Sequence, residues 1–270
     1  MGEMSARLAV VVPTFNRAQT IERAVASVLD HAGSDVELAV VDDQSTDDTL
    51  QRLSRISDGR FRVVRAPQRG HANRARNLGA EATGAPVVAF LDSDDEFMPG
   101  RIARLIRFFA DHPNIDAAID GFHVEHRGSR KTSNPPFTFP SGGSLERFLI
   151  CHALPLTNSA IAVRRTAFLA IGGFDPDLPR HQDRDLLLRL AKGHAVAVGT
   201  GCDVVKHQSA DSLSRDQVGH LAGLDALVAR HERFNEPWAR DVLGYLVARS
   251  IVRETFNARF ATAWRLSRSL

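Results

Sequence analysis

The chain of 270 residues holds two cysteines, Cys151 and Cys202, and neither has a second cysteine three positions away. That scarcity excludes a Cys-x-x-Cys zinc site and a disulfide framework, fits a reducing cytoplasmic setting, and leaves both thiols as small core residues. Long apolar runs are missing as well. No stretch approaches the ~18 uninterrupted apolar residues of a membrane span, and Met1 to Arg7 carries no signal-peptide core. The chain is therefore expected not to span a membrane. No Gly-x-Gly-x-x-Gly follows the first apolar run, which excludes a nicotinamide dehydrogenase. The glycine-rich first loop of a sugar-phosphate nucleotidyltransferase is absent too. No nucleic-acid recognition motif, internal repeat or low-complexity tract is found, so nucleic acid is not expected as a partner.

What is present is an ordinary globular composition, 43% hydrophobic and 24% charged, sufficient for a full core. A net charge of +2 conceals an uneven distribution, because the C-terminal end is rich in arginine. There Trp238, Leu243, Leu246, Ile251, Phe256, Phe260 and Trp264 interleave with Arg240, Arg249, Arg253, Arg259, Arg265 and Arg268. One reading is peripheral contact with an anionic membrane surface at its inner face. The other is a solvated basic face on helices whose apolar residues pack on the core.

Apolar periodicity gives the architecture. Leu8 to Val12 reads as a buried strand ending at Pro13, followed by a helix capped by Asn16 and running to Leu29, with Ile21, Ala24, Val25, Val28 and Leu29 on one face. A second strand covers Val36 to Val41. Ser45 or Thr46 then caps a short helix with Asp47 and Asp48 in its first turn. A strand at Phe61 to Val64, a helix from Ala72 to Ala82, a strand from Val87 to Leu91 and a helix from Pro99 to Ala110 complete this half. Such alternation predicts right-handed βαβ crossovers and an α/β, Rossmann-like, doubly wound, mostly parallel sheet.

Beyond residue 112 the pattern loosens. Short strands are expected at Ile115 to Ile119 and Phe122 to His126, a loop at Arg127 to Gly143, a helix at Gln182 to Lys192, strands around Val196 and Val204, and helices from Asp211 onward. The domain expectation is one unit over 1–210, divided near 111 and 112, with a helical extension over 211–270.

Open α/β sheets bind ligands at the carboxyl ends of their strands, and here those ends are acidic: Asp42-Asp43 after the second strand, Asp92-Ser93-Asp94-Asp95 after the fourth. Clustered carboxylates repel one another unless a cation or a hydrogen-bond donor lies among them. Asp92 and Asp94 alternate across a strand end, which lets one reach a ribose hydroxyl while the other holds a hard divalent ion bridging a diphosphate.

Four ordered segments carry a resemblance. They are Val11-Val12-Pro13-Thr14-Phe15-Asn16-Arg17, then Val41-Asp42-Asp43-Gln44-Ser45-Thr46-Asp47, then Ala75-Arg76-Asn77-Leu78-Gly79 with Phe90-Leu91-Asp92-Ser93-Asp94-Asp95, and last Gly172-Gly173-Phe174-Asp175 with Gln182-Asp183-Arg184-Asp185. Together they resemble glycosyltransferase family 2, whose fold is GT-A and whose reaction inverts the anomeric centre. Two departures stand out: Gln44 replaces a usual glycine, and Gln182 a usual glutamate.

The resemblance implies a sugar transfer from a nucleotide-diphosphate donor, a UDP-sugar being favoured, to an acceptor hydroxyl that the sequence does not identify. It implies that Pro13, Thr14 and Asp43 bind the nucleotide, a role that suits a carboxylate facing a ring N–H. Asp92 and Asp94 match the Asp-x-Asp motif, and Asp183 matches the general base. His207 resembles a late histidine that completes the shell of a manganese or magnesium ion or meets the diphosphate. Arg76 either faces the diphosphate or points to solvent, Asn77 supports the same edge, and Asp42 contacts donor or caps the next helix. The alternative reading, carried by Gln182, is a non-catalytic sugar-nucleotide-binding subunit on the same fold.

Overall fold

A computed structural model describes residues 6–135, 145–178, 180–208 and 217–256. Strands β1 (Leu8–Thr14), β2 (Val36–Asp42), β3 (Phe61–Arg65) and β4 (Val87–Phe90) form the parallel part of the sheet in the order β3-β2-β1-β4. β1 is central and every residue in it is buried, as its unbroken apolar run requires. Pro13 lies beyond the last β1–β4 pair, Val11↔Phe90, where a missing N–H breaks no ladder bond.

Alternate residues of these strands feed two cores, which makes the sheet doubly wound. Val10, Val12, Leu38 and Val40 meet α1 (Ile21–Leu29) and α4 (Arg101–Asp111) on one face. Val11, Val41, Val88 and Phe90 meet α3 (His71–Ala82) and the helices of the second half on the other. Helix α3 sits very close to the sheet: a Cβ on Gly79 would fall inside the van der Waals envelope of Val11 Cγ1 and 3.0 Å from Val41 Cγ2. Gly79→Ala is therefore expected to destabilise the protein by ~1–3 kcal/mol through overpacking, measurable as a lower urea midpoint at constant m. An unchanged midpoint would mean that α3 can lift without cost.

The sheet continues through β8 (Ile161–Arg164), antiparallel to β4, then β6 (Ala117–His126), β9 (Val196–His207) and β5 (Glu96–Phe97). β7 (Ser129–Ser133) pairs with β6. The short helix α2 (Thr49–Leu53) follows β2, and α5 (Leu145–Ile150), α6 (Arg165–Ala170), α7 (Gln182–Leu190), α8 (Gln217–Arg230) and α9 (Pro237–Phe256) complete the described chain.

Several boundaries differ from the sequence expectation. Asn16 caps no helix: it lies in the left-handed region at φ 51°, and α1 starts at Ile21. Asp48, not Ser45 or Thr46, occupies the cap position of α2, and Asp47 lies ahead of the helix, its Oδ1 accepting from Thr49 N at 3.0 Å. Helix α4 begins after Gly100, whose φ of 89° no right-handed helix contains. The two strands expected at 115–126 are one bulged strand, with register shifts at Gly121. Likewise Gly199-Thr200-Gly201, which breaks the apolar pattern, runs inside β9. Part of the expected 127–143 loop is the hairpin strand β7; residues 136–144 lie outside the described chain.

Helices α8 and α9 join the core of the second half. Leu224, Leu227, Phe234 and Ala239 belong to the cluster that holds Phe174 and Leu186 to Leu188, and Trp238, Leu243, Val247 and Ile251 pack against it. Of the interleaved apolar residues, Trp238, Leu243, Leu246 and Ile251 thus face the protein; two others on α9, Tyr245 and Val252, are exposed. Phe260 and Trp264 lie outside the described residues. Among the described residues no helix is long and apolar enough to cross a membrane.

Candidate active site

A cleft of about 860 Å³ opens at the carboxyl ends of the parallel strands. Of the residues singled out from the sequence, Pro13, Thr14, Asp43, Arg76, Asp92, Asp94, Gln182, Asp183 and His207 line it, and Asp42 and Asn77 do not. Those that line it come from β1, the turns after β2 and β4, α3, α7 and β9, separated in the chain by up to nearly two hundred residues, and only the tertiary fold brings them together.

At one end of the cleft, beyond β1 and β2, two turns are stitched to each other. Asn16 N–H donates to Ser45 Oγ at 3.0 Å, Thr46 N–H to Asn16 Oδ1 at 2.8 Å, and Arg17 N–H to Thr49 Oγ1 at 2.8 Å. Asp42 is fully buried and accepts the Ser45 N–H, so it holds the turn rather than capping a helix. Gln44 stands in the left-handed region at φ 68°, which accounts for the glycine that the family resemblance leads one to expect there. Asp43 accepts N–H bonds from Gly70 at 2.7 Å and His71 at 2.9 Å, one on each carboxylate oxygen. This fixes the carboxylate at the start of α3 and leaves each oxygen a second lone pair.

The turn after β4 is held from the side by a strand running the other way. Because β8 is antiparallel to β4, its beginning meets the end of β4, and Ser159 lies beside the acids. Its Oγ accepts from Asp92 N–H at 3.0 Å and donates to Asp95 Oδ2 at 2.6 Å. Sequence reasoning missed Ser159, together with Thr157 and Asn158 in the cleft wall. The available signal was a polar Thr-Asn-Ser run directly ahead of an apolar strand.

Arg76 does not point to solvent. Its side chain is buried, donates to Asp92 Oδ1 at 2.5 Å and lies over the Phe174 ring, with its carbon 5.3 Å from the centroid. Asn77 serves packing: it exchanges two 2.8 Å bonds with the backbone of Phe174, clamping the Gly172-Gly173 turn against α3. A Cβ on Gly173 would meet Asn77 Oδ1 at 2.5 Å, and its φ is 68°, so glycine is required there.

The Asp94 carboxylate carries no hydrogen bond from another described residue. Burial first, and then the Asp92 charge, push its carboxyl above the usual range, against the pull of Arg17 and Lys206. Asp95 is pushed up for the same two reasons. Among the described residues no three His, Cys, Asp or Glu side chains converge as a ready-made metal cage. A divalent ion shared with a diphosphate needs none, since it takes one or two protein carboxylates and fills its shell with phosphate oxygens and water. Asp94 fits such a ligand. His207 ends β9, its Nε2 is bonded to Glu96 Oε1 at 2.6 Å, and its N–H reaches Asp95 Oδ1 at 3.2 Å. Lys206 also lines the cleft and donates to Thr157 Oγ1 at 3.2 Å.

Asp183 sits in the first turn of α7. His181 precedes the helix in the left-handed region at φ 58°, its Nε2 bonded to the His220 carbonyl of α8 at 3.1 Å. Asp183 Oδ1 accepts the Arg184 N–H at 2.7 Å. Two residues on, Asp185 is buried between His231, which donates at 2.9 Å, and Arg189, which donates at 2.7 Å. Burial acts to raise the Asp185 carboxyl, but those two hydrogen bonds outweigh it and hold the carboxyl below its ordinary 3.8. A depressed carboxyl stabilises the fold above its unfolded pKa, and that contribution disappears as pH falls through the folded value. The stability gap between wild type and Asp185→Asn is thus expected to be full at pH 7 and to narrow below about pH 4; chemical unfolding at pH 7 and pH 3 checks this, and a gap independent of pH would count against it.

The sequence pattern of Glycosyl transferase family 2 matches residues 9–172. Over 259 residues the chain is 31% identical to the succinoglycan biosynthesis protein ExoO of Rhizobium meliloti (strain 1021), covering 92% of this chain and 74% of that protein. The chain belongs to glycosyltransferase family 2. This family 2 transferase is also 31% identical, over 101 residues, to the Escherichia coli UDP-Glc:alpha-D-GlcNAc-diphosphoundecaprenol beta-1,3-glucosyltransferase WfaP, covering 37% of this chain and 40% of that protein. Its fold matches S. aureus TarS 1-349 in complex with UDP-GlcNAc at a TM-score of 0.66, with 20% identity over 78% of this chain and 61% of that chain. The fold is GT-A, and its relatives work in polysaccharide biosynthesis. The transferase spans about three-fifths of the TarS chain it matches.

Proposed function

We propose that this transferase moves a sugar from a UDP-sugar to an acceptor hydroxyl with inversion, in polysaccharide or glycoconjugate synthesis. The observation that carries the reading is the convergence of Thr14, Asp43, Asp92, Asp94, Asp183 and His207 on one cleft. Three buried polar atoms of the cleft wall have no partner among the described residues, Thr14 Oγ1, Arg76 Nε and Asn158 Oδ1, and a polar ligand would satisfy them. The UDP-Glc in the name of the E. coli relative and the UDP-GlcNAc bound by TarS support a uridine donor.

In this mechanism Asp183 takes the proton of the acceptor hydroxyl while that oxygen attacks the anomeric carbon and the bond to the diphosphate oxygen breaks. The Arg184 N–H holds one carboxylate oxygen, leaving the other for the proton. A divalent ion, manganese or magnesium, would be held by Asp94 and His207 and would neutralise the departing diphosphate. Arg17 and Lys206, both in the cleft wall, add positive charge at the same end.

Asp94→Asn is expected to weaken manganese and UDP binding together, by about tenfold or more, since loss even of an outer partner costs a metal site that much. Calorimetry with UDP and Mn²⁺ reads both. Release of UDP from a panel of UDP-sugars, with Mn²⁺ and with EDTA, tests the reaction itself; UDP binding without turnover of any donor would favour a binding subunit.

A further inference from the structure

The turn that carries Asp94 continues into β5, and Glu96 on that strand has no place in the cleft wall although His207 does. Glu96 Oε1 nevertheless meets the His207 ring at Nε2, 2.6 Å away. The same oxygen accepts from Arg23 Nε of α1 at 2.9 Å, and the second arm of that guanidinium donates to the Asp94 carbonyl at 2.8 Å. Arg23 therefore ties the backbone of the acidic turn to the carboxylate that touches the histidine.

The Glu96 oxygen that accepts from the Arg23 guanidinium is an acceptor toward the imidazole as well. The bond to His207 is then donated by Nε2–H. A neutral imidazole with its proton on Nε2 has its lone pair on Nδ1, which is the one ring atom left for a ligand. The backbone agrees with this arrangement: β5 pairs with β9 through Glu96↔Val205, and His207 N–H is bonded to Asp95. Both ends of the carboxylate–imidazole contact are thus fixed to the acidic turn.

Building on the metal reading above, we infer that Glu96 is a positioning residue for the metal shell: it sets the His207 tautomer and presents Nδ1 to a divalent ion held with Asp94. A carboxylate behind a ligating imidazole orients the ring and raises its basicity, and removing one typically costs about 10- to 100-fold in metal affinity.

The test is a Mn²⁺ titration of the full chain in the presence of UDP, followed by electron paramagnetic resonance. Glu96→Ala is expected to raise the Mn²⁺ Kd by about 10- to 100-fold while UDP affinity in EDTA stays at the wild-type value. Glu96→Gln, whose amide oxygen still accepts from Nε2–H, is expected to recover most of that loss. The ¹⁴N coupling of a bound imidazole should be present in the wild type and lost in His207→Ala. In the His207→Ala background, Glu96→Ala should cost nothing further. Unchanged Mn²⁺ affinity in Glu96→Ala, or a loss that adds to that of His207→Ala, overturns the assignment and leaves the metal reading intact. A wild type that binds UDP but no Mn²⁺ overturns both.

Discussion

Asp183→Asn is expected to lower sugar transfer by about 10²-fold or more while leaving UDP affinity unchanged, the scale on which a positioned general base acts. Asparagine keeps the size of the side chain and can still accept the Arg184 N–H, so the start of α7 should hold its shape. What it loses is the capacity to take a proton at neutral pH. The neighbouring acid gives the contrast. Asp185 points into the protein toward His231 and Arg189, so Asp185→Asn should show its effect in unfolding and not in the transfer step. Single-turnover transfer and UDP calorimetry separate the two variants; near-normal transfer by Asp183→Asn would place the base elsewhere.

The second large effect belongs to a group that does not line the cleft. Arg101 of α4 is fully buried and donates to Asp120 at 2.6 Å, to Asp203 at 2.7 Å and to the Ser159 carbonyl at 3.1 Å. Arg104 reaches the same two aspartates at 2.7 Å each. Arg101→Met fills most of the volume but leaves two carboxylates to one guanidinium in the interior. Breaking a buried pair in this way costs ~3–5 kcal/mol, a large part of the stability of an ordinary domain. Urea unfolding would read it. If the variant loses less than ~1 kcal/mol, the network does no more than offset its own desolvation. Replacing Arg101, Asp120 and Asp203 together with apolar residues is expected to recover much of the loss, because the penalty lies in the unmatched charge.

The first half was legible because β1, β2 and β4 are short, mostly apolar runs that stop just ahead of residues facing the cleft. Val12-Pro13-Thr14 and Leu91-Asp92 announce a strand end and a ligand edge in the same few letters. The buried network was not legible, since Arg101 follows a Pro-Gly turn and reads as a solvated first-turn residue, and its partners lie in strands distant in sequence. Ser159 was hidden by direction: a residue before a strand faces the ligand edge only if that strand is antiparallel to its neighbours, and pairing cannot be read from one segment. Asn16, Gln44 and His181 share another cause. Each holds a positive φ, which Asn and His adopt only in a minority of their positions and Gln more rarely still, and tertiary hydrogen bonds sustain it in the case of Asn16 and His181.

The packing of α8 and α9 onto α7 bears on how such an enzyme can be recombined. The imidazole of His181 rests on a carbonyl of α8, Asp185 rests on His231 beyond it, and Arg230 reaches back to Asp175 at 2.5 Å. A crossover placed between α7 and α8 would graft foreign helices onto the residues that anchor α7. Exchange of acceptor preference between relatives should therefore succeed only when the segment from Gly172 through α9 is inherited as one block.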